Sequence, residues 1–154
     1  MPIWAGHSVQ GMGFLDLVRA RARVKLSRAF TMAQRQLRLI VVEDHANTAE
    51  ALKKFLKAVG YQVFVATDMT SALSLASAVE FDLLLSDLAL PDGNGWELMK
   101  RLSAERHVRA IAFSAHNSIA DLQRSAEAGF IEHLPKPLSP EKLCAAIERA
   151  AMAA

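Results

Sequence analysis

Two acids stand together at Glu43–Asp44, directly after the apolar run Leu37–Val42. A lone aspartate, Asp87, closes Leu83–Leu84–Leu85–Ser86; a hydroxyl, Ser114, follows Val108–Phe113; and Lys136–Pro137 comes after Phe130–Leu134. Three carboxylates, a hydroxyl and a lysine suit one kind of chemistry. A carboxylate attacks phosphorus poorly, because anion meets anion. A divalent cation such as Mg2+, held by carboxylate and carbonyl oxygens, cancels that repulsion and orients the phosphoryl group. A lysine ammonium neutralises a further oxygen as a point charge, and a hydroxyl donates to another. In this reading Asp87 accepts the phosphoryl group, Glu43 and Asp44 bind the metal, Lys136 is the counter-ion and Ser114 supplies the hydroxyl. Taken singly, the acid pair is a solvated strand end, Asp87 a turn former and Lys136 a surface lysine. Together on one rim they form a site.

The elements that would gather them are legible in the hydrophobic pattern. Leu37–Val42, Tyr61–Ala66, Phe81–Ser86, Val108–Phe113 and Phe130–Leu134 read as five short strands, the third continuous in hydrophobicity as a central strand covered on both faces is. Helical spacing lies between them. Leu52, Phe55, Leu56 and Val59 run up to Gly60, and Ser71–Val79 is alanine-rich. Trp96, Met99 and Leu102 mark the third helix, and Ile119, Leu122 and Ala126 the fourth, which stops at Gly129. Ser139–Pro140–Glu141 starts the last helix with a hydroxyl cap, a proline at the first position and an acid in the first turn. Its inner face is Leu143, Ile147 and Ala150. Five β–α units predict an α/β fold: a flavodoxin-like parallel sheet, strand order 2-1-3-4-5, with helices on both faces. That order sets strand 1 beside strand 3 and brings Glu43 and Asp44 next to Asp87.

At 154 residues, 52% hydrophobic and 22% charged, the chain has the composition of an ordinary globular domain. No stretch reaches the roughly 18–20 apolar residues of a membrane span, and the N-terminus lacks the basic-then-apolar order of a secretory signal. Cys144 is the only cysteine, which excludes an internal disulfide and suits a reducing cytoplasm. The overall charge of +2 hides an asymmetry: residues 1–36 carry net +5 and the remainder net −3. Residues 1–36 therefore read as a basic N-terminal extension or linker, with Leu15, Val18, Ala22, Leu26, Ala29 and Ala33 at roughly helical spacing, although Arg21–Leu26 alternates like a strand. Residues 37–154 read as the domain. His45 and His116 lie near the carboxylates, but no His–x3–His or cysteine pairing supports a transition-metal site. Gly93 and Gly95 lack the pattern of a nucleotide-binding loop.

Glu43–Asp44, Asp87 with Pro91–Asp92–Gly93–Asn94–Gly95 after it, Ser114–Ala115 and Lys136–Pro137 occur in this order at four strand ends. In that pattern residues 37–152 resemble the receiver domains of response regulators from two-component signalling. The stretch from Ala128 to Pro137 is most similar to receivers of hybrid histidine kinases, and single-domain response regulators are the other close type. The resemblance implies that Asp87 is phosphorylated by a histidine kinase or a histidine phosphotransfer protein, with Mg2+ needed for transfer in and hydrolysis out. It also implies that the Ala89 backbone carbonyl completes the metal ligands and that the peptide bond before Pro137 is cis. The family's output switch pairs the hydroxyl at Ser114 with position 133, where His133 replaces the tyrosine or phenylalanine of many members. A signalling domain is implied rather than an enzyme acting on external substrates. It would be a cytoplasmic monomer or weak homodimer, without direct nucleic-acid binding, its output partner unspecified and its signal leaving through helix 4, strand 5 and helix 5. Few residues follow Ser139–Pro140, so no C-terminal output domain is expected. The rival readings are a phosphorylation-independent interaction module, which Mg2+ binding would distinguish, and a hydrolase, which phosphatase assays would.

Overall fold

A computed structural model describes residues 36–153. The extension expected over 1–36 lies outside the described residues, Gln36 excepted. Strands β1 (Arg38–Val42), β2 (Gln62–Ala66), β3 (Leu83–Asp87), β4 (Ala110–Ser114) and β5 (Glu132–Pro135) form one parallel sheet in the order β2-β1-β3-β4-β5. This is the expected flavodoxin-like order. Helices α1 (Ala46–Val59), α2 (Met69–Ala78), α3 (Gly95–Glu105), α4 (Ile119–Ala128) and α5 (Pro140–Met152) make the connections. A two-residue ribbon, Ala89–Leu90 against Gly93–Asn94, tightens the loop after β3.

Side chains alternate across each strand. Ile40, Val42, Leu84, Ala110 and Ala112 pack with Met69, Ala72 and Ala76 of α2 and with Leu98, Met99 and Leu102 of α3. The alternate positions, Leu39, Val41, Leu83, Leu85, Ile111 and Phe113, are buried on the opposite face, the side of Leu56 on α1 and of Leu143 and Ile147 on α5. The central strand β3 is buried at all five positions, which fits the apolar run Leu83–Leu85 with which it begins. Among the described residues no helix is long and apolar enough to cross a membrane.

Strand ends shift by one or two residues from the sequence reading, and two boundaries and one helix face differ for a local reason. Phe130 is not the first residue of β5: its N–H donates to the Ser125 carbonyl at 3.0 Å and closes the end of α4, and sheet pairing begins at Ile131. α2 starts two residues before Ser71. Asp68 caps it and Ser71 answers from the third position, so the hydroxyl belongs inside the capping box. α4 exists where expected, but its buried residues are Ser125 and Ala128. Ile119 is 84% exposed and Leu122 42% exposed. The small inner residues make room for the Trp96 indole of α3, whose Nε1 donates to Ser125 Oγ at 2.9 Å. The glycine stops are as read: Gly60 and Gly129 end α1 and α4 with φ of 112° and 105°.

Candidate functional site

The sheet register sets the site. Val42 pairs with Ser86, Asp87 with Phe113, and Ser114 with Pro135. The residues just beyond β1, β3, β4 and β5 thus emerge side by side along one rim. The Lys136 N–H donates to the Ser114 carbonyl at 2.9 Å, carrying the chain past the end of β5 in register. The Lys136–Pro137 peptide bond is cis, as the resemblance implied.

Glu43 is wholly buried and Asp87 nearly so. Between them sits Lys136, its Nζ 3.0 Å from Glu43 Oε2 and 2.5 Å from Asp87 Oδ2. Burial pulls the Lys136 ammonium down, but its hydrogen bonds to Asp87 and Glu43 and their charges outweigh this, so its pKa stands above the ordinary lysine value. The remaining acid oxygens are also engaged. Asp87 Oδ1 accepts the Ala89 N–H at 3.0 Å, and Glu43 Oε1 accepts the His45 N–H at 3.1 Å. Asp44 is about one-third exposed. Glu43, Asp44, His45 and Asp87 each offer a ligand atom, all within 4.8 Å of one another. Opposite ligands around an octahedral Mg2+ lie about 4.2 Å apart, so small side-chain adjustments would close the three carboxylates on one ion, and hard oxygens are the donors this ion takes.

Two residues of the glycine-containing loop hold the segment that follows Asp87. A Cβ on Gly95 would stand 2.7 Å from the Asp87 carbonyl oxygen and 3.1 Å from Leu88 Cα, both backbone atoms. Only glycine allows α3 to start there, with the Gly95 N–H donating to the Leu88 carbonyl at 3.0 Å. Asp92, which the sequence offers only as part of the motif after Pro91, ties the loop to α2. Its carboxylate accepts from the Met69 N–H at 2.7 Å, the Thr70 N–H at 2.9 Å and the Thr70 hydroxyl at 2.6 Å. Those bonds, the Thr70 hydroxyl first, hold the Asp92 carboxyl at about 2. No sequence-local signal marks this, because the partners lie over twenty residues away.

Ser114 is buried at the end of β4, where its Oγ accepts the His116 N–H at 3.0 Å. His133 is held at both ring nitrogens. Nδ1 lies 2.8 Å from Ser125 Oγ, and Nε2 lies 2.9 Å from Asn117 Oδ1. Asn117 Nδ2 in turn donates to the Ser114 carbonyl at 3.1 Å. Burial pushes the His133 imidazole below its usual pKa, against the raising effects of the His116 backbone and Asp121. Sequence reasoning paired Ser114 with His133 but missed Asn117, Ser125 and Trp96 as the groups between and around them. Arg124 stacks over Trp96 at 4.0 Å from the ring centroid.

Comparison with known proteins agrees with this geometry. Residues 39–148 match the family model of the response regulator receiver domain. The chain is 33% identical over 117 residues to the DNA-binding response regulator MtrA of Mycobacterium tuberculosis (strain H37Rv), covering 76% of this chain and 50% of that protein. It is 31% identical over 112 residues to the transcriptional regulatory protein CusR of Escherichia coli K12, covering 72% and 49%. The chain thus spans about half the length of these curated relatives. Among solved structures, the non-phosphorylated HemR receiver domain of Leptospira biflexa superposes with a TM-score of 0.72 at 30% identity, over 77% of this chain and 97% of that one. Chemotaxis response regulator CheY4 of Vibrio cholerae gives 0.70 at 25% identity, over 75% and 99%. From the strand order, the acid-lined rim and these matches together, the chain belongs to the response regulator receiver domain family.

Proposed function

We propose that Asp87 is the phosphoacceptor of a two-component phosphorelay, taking its phosphoryl group from the phosphohistidine of a histidine kinase or a histidine phosphotransfer protein in the cytoplasm. The observation that supports this most is the Lys136 ammonium seated between two buried carboxylates, Asp87 and Glu43. Buried acids are costly unless a cation faces them, and a fold that retains them at a rim has a use for them. Glu43, Asp44, Asp87 and the Ala89 carbonyl would hold Mg2+, whose charge, when bound, lowers the repulsion between acceptor and donor anions.

An Asp87 carboxylate oxygen forms the new P–O bond as the P–N bond to the donor imidazole breaks, and the imidazole leaves with the electron pair. Lys136 stays charged throughout and neutralises a phosphoryl oxygen, exchanging part of its contact with Asp87. The Ser114 hydroxyl, released from the His116 N–H, donates to another phosphoryl oxygen. Water attacking phosphorus later returns Asp87 to the free carboxylate and releases phosphate.

Movement at Ser114 reaches the α4–β5 surface through Asn117 and His133. There the exposed Leu122 and Ile131 flank a groove of about 210 Å³ beside His133, and a partner protein reads this face. Incubation with acetyl phosphate and Mg2+ should add one phosphate by intact mass, and Asp87→Asn should abolish it. Equal modification of that variant would refute the assignment. Beryllofluoride should shift amide signals in α4 and β5; silence there would move the output surface elsewhere.

A further inference from the structure

His45 occupies a helix N-cap without capping. Its backbone is extended, φ −79° and ψ 111°, yet its side chain makes no bond to the first turn of α1. Serine, aspartate or asparagine at such a position would satisfy a free N–H of the helix. Here the ring turns to the acids instead. Nδ1 lies 3.1 Å from Glu43 Oε1 and 3.2 Å from Asp44 Oδ1. These are not the oxygens that Lys136 holds, which are Glu43 Oε2 and Asp87 Oδ2. The imidazole therefore faces a second position, defined by Glu43 Oε1 and Asp44 Oδ1 rather than by the oxygens that the ammonium holds.

Adjacent ligands around an octahedral ion with bonds of about 2.1 Å stand about 3.0 Å apart. The two separations from Nδ1 are close to that edge. Facing two carboxylate oxygens, Nδ1 carries a proton in the metal-free site; coordination asks for the tautomer with the proton on Nε2, which gives the Nδ1 lone pair to the metal and leaves the carboxylates as they are. Mg2+ takes oxygen ligands and gains little from nitrogen, whereas Co2+, Ni2+ and Zn2+ take imidazole readily. The ring is largely exposed, so it can turn by the few tenths of an ångström that coordination asks.

We propose that His45 is a ligand of the acid pocket for late first-row divalent metals, and that it shifts the selectivity of this site from Mg2+ towards Ni2+ and Co2+. The proposal rests on the reading of Glu43, Asp44 and Asp87 as a metal site. It gives a role to the histidine that spacing alone argued against, because the donor nitrogen comes from a residue adjacent to the acids rather than from a His–x3–His pair.

The test is calorimetric titration of the full chain with Mg2+ and, separately, Ni2+ at one fixed, mildly alkaline pH. Wild type should prefer Ni2+, and His45→Gln should lower the ratio of Ni2+ to Mg2+ affinity by about tenfold or more, a loss of the size that ligand-sphere changes produce. Co2+ added to wild type should shift the His45 ring proton resonances strongly, and excess Mg2+ should reverse the shift. An unchanged affinity ratio in His45→Gln, with Asp44→Asn still abolishing both titrations, would overturn the role of His45 while leaving the acid site standing. Binding of both metals that survives Asp44→Asn would instead remove the acid site itself.

Discussion

Replacing Lys136 by methionine keeps the length of the side chain and removes its charge, which isolates what the ammonium does for the metal-free fold. It leaves Glu43, 0% exposed, and Asp87, 4% exposed, without the cation now 3.0 and 2.5 Å away. Removing one partner of a fully buried ion pair costs about 3–5 kcal/mol. Lys136 keeps 23% of its side-chain surface, so water takes over part of its work, and about 2 kcal/mol is the expected loss. For a domain of this size that lowers the melting temperature by about 8 °C. Urea denaturation followed by circular dichroism in EDTA gives the free energy directly. Mg2+ should then narrow the gap, because the bound ion would face the buried acids with the positive charge that the variant lacks. A tenfold excess over Kd stabilises by about 1.4 kcal/mol in either protein, and more in whichever binds tighter. Equal stability of the two proteins in EDTA would show that the buried acids do not depend on Lys136, and a gap that Mg2+ leaves unchanged would remove the acids as its ligands.

Ser125→Ala strips Trp96 Nε1 and His133 Nδ1 of a partner in one step; both rings are only partly buried, so the urea midpoint should fall by the equivalent of about 1–2 kcal/mol, and an unmoved midpoint would contradict the bonding described. Gly95→Ala drives a methyl against the Asp87 and Leu88 backbone; a loss of about 1–3 kcal/mol and slower phosphorylation by acetyl phosphate are expected, and wild-type behaviour in both would refute the close approach. Asp92→Ala should destabilise near neutrality, but the difference should fade in acid. The folded carboxyl, at about 2, lies below the usual 3.8, so its contribution is complete above about pH 4 and lost as pH falls through about 2. The two histidines should act in opposite directions. His133, depressed by burial, contributes above about pH 6.5 and loses its contribution as pH falls through its folded value; His45, raised by its hydrogen bond to Glu43 and then by Asp44, contributes below about 6.5 and loses its contribution as pH rises through its folded value. Stability differences for His133→Gln and His45→Gln measured across this range check the signs.

The strands and their rim residues were legible because a parallel sheet covered on both faces imposes a simple code. Leu83–Leu85 and Ile111–Phe113 are wholly buried, and the runs they belong to end in Asp87 and Ser114 at the rim, with Ser86 buried inside the sheet before Asp87. Local capping chemistry was legible where its partners are near in sequence, as at Ser139, which accepts the Lys142 N–H. It failed at Asp92, whose partners Met69 and Thr70 come from another β–α unit. The inner face of α4 misled for a related reason. Hydrophobic spacing points to Ile119 and Leu122, but the space is filled from outside the helix by the Trp96 indole, and small residues at Ser125 and Ala128 admit it. Periodicity weighs a helix by its own side chains and cannot see a large neighbour.

The same indole bears on how a signal crosses this domain. Donors and acceptors around His133 match in one direction only if each is used once: Trp96 N–H to Ser125, the Ser125 hydroxyl to Nδ1, Nε2–H to Asn117, and the Asn117 amide to the Ser114 carbonyl. This assigns the proton of the neutral ring to Nε2. A phenyl ring at this position would only occupy space and would be free to enter any vacancy that Ser114 left. The imidazole is anchored at both nitrogens, and swinging it breaks two hydrogen bonds worth about 1 kcal/mol each. With Asn117 in place the swung form would then be populated at roughly 3%. Vacancy near Ser114 is therefore not sufficient to move residue 133 in this chain. Under the proposed function the β4–α4 loop would have to carry Asn117 away first, which would make the loop, rather than the ring, the element through which the Ser114 hydroxyl acts.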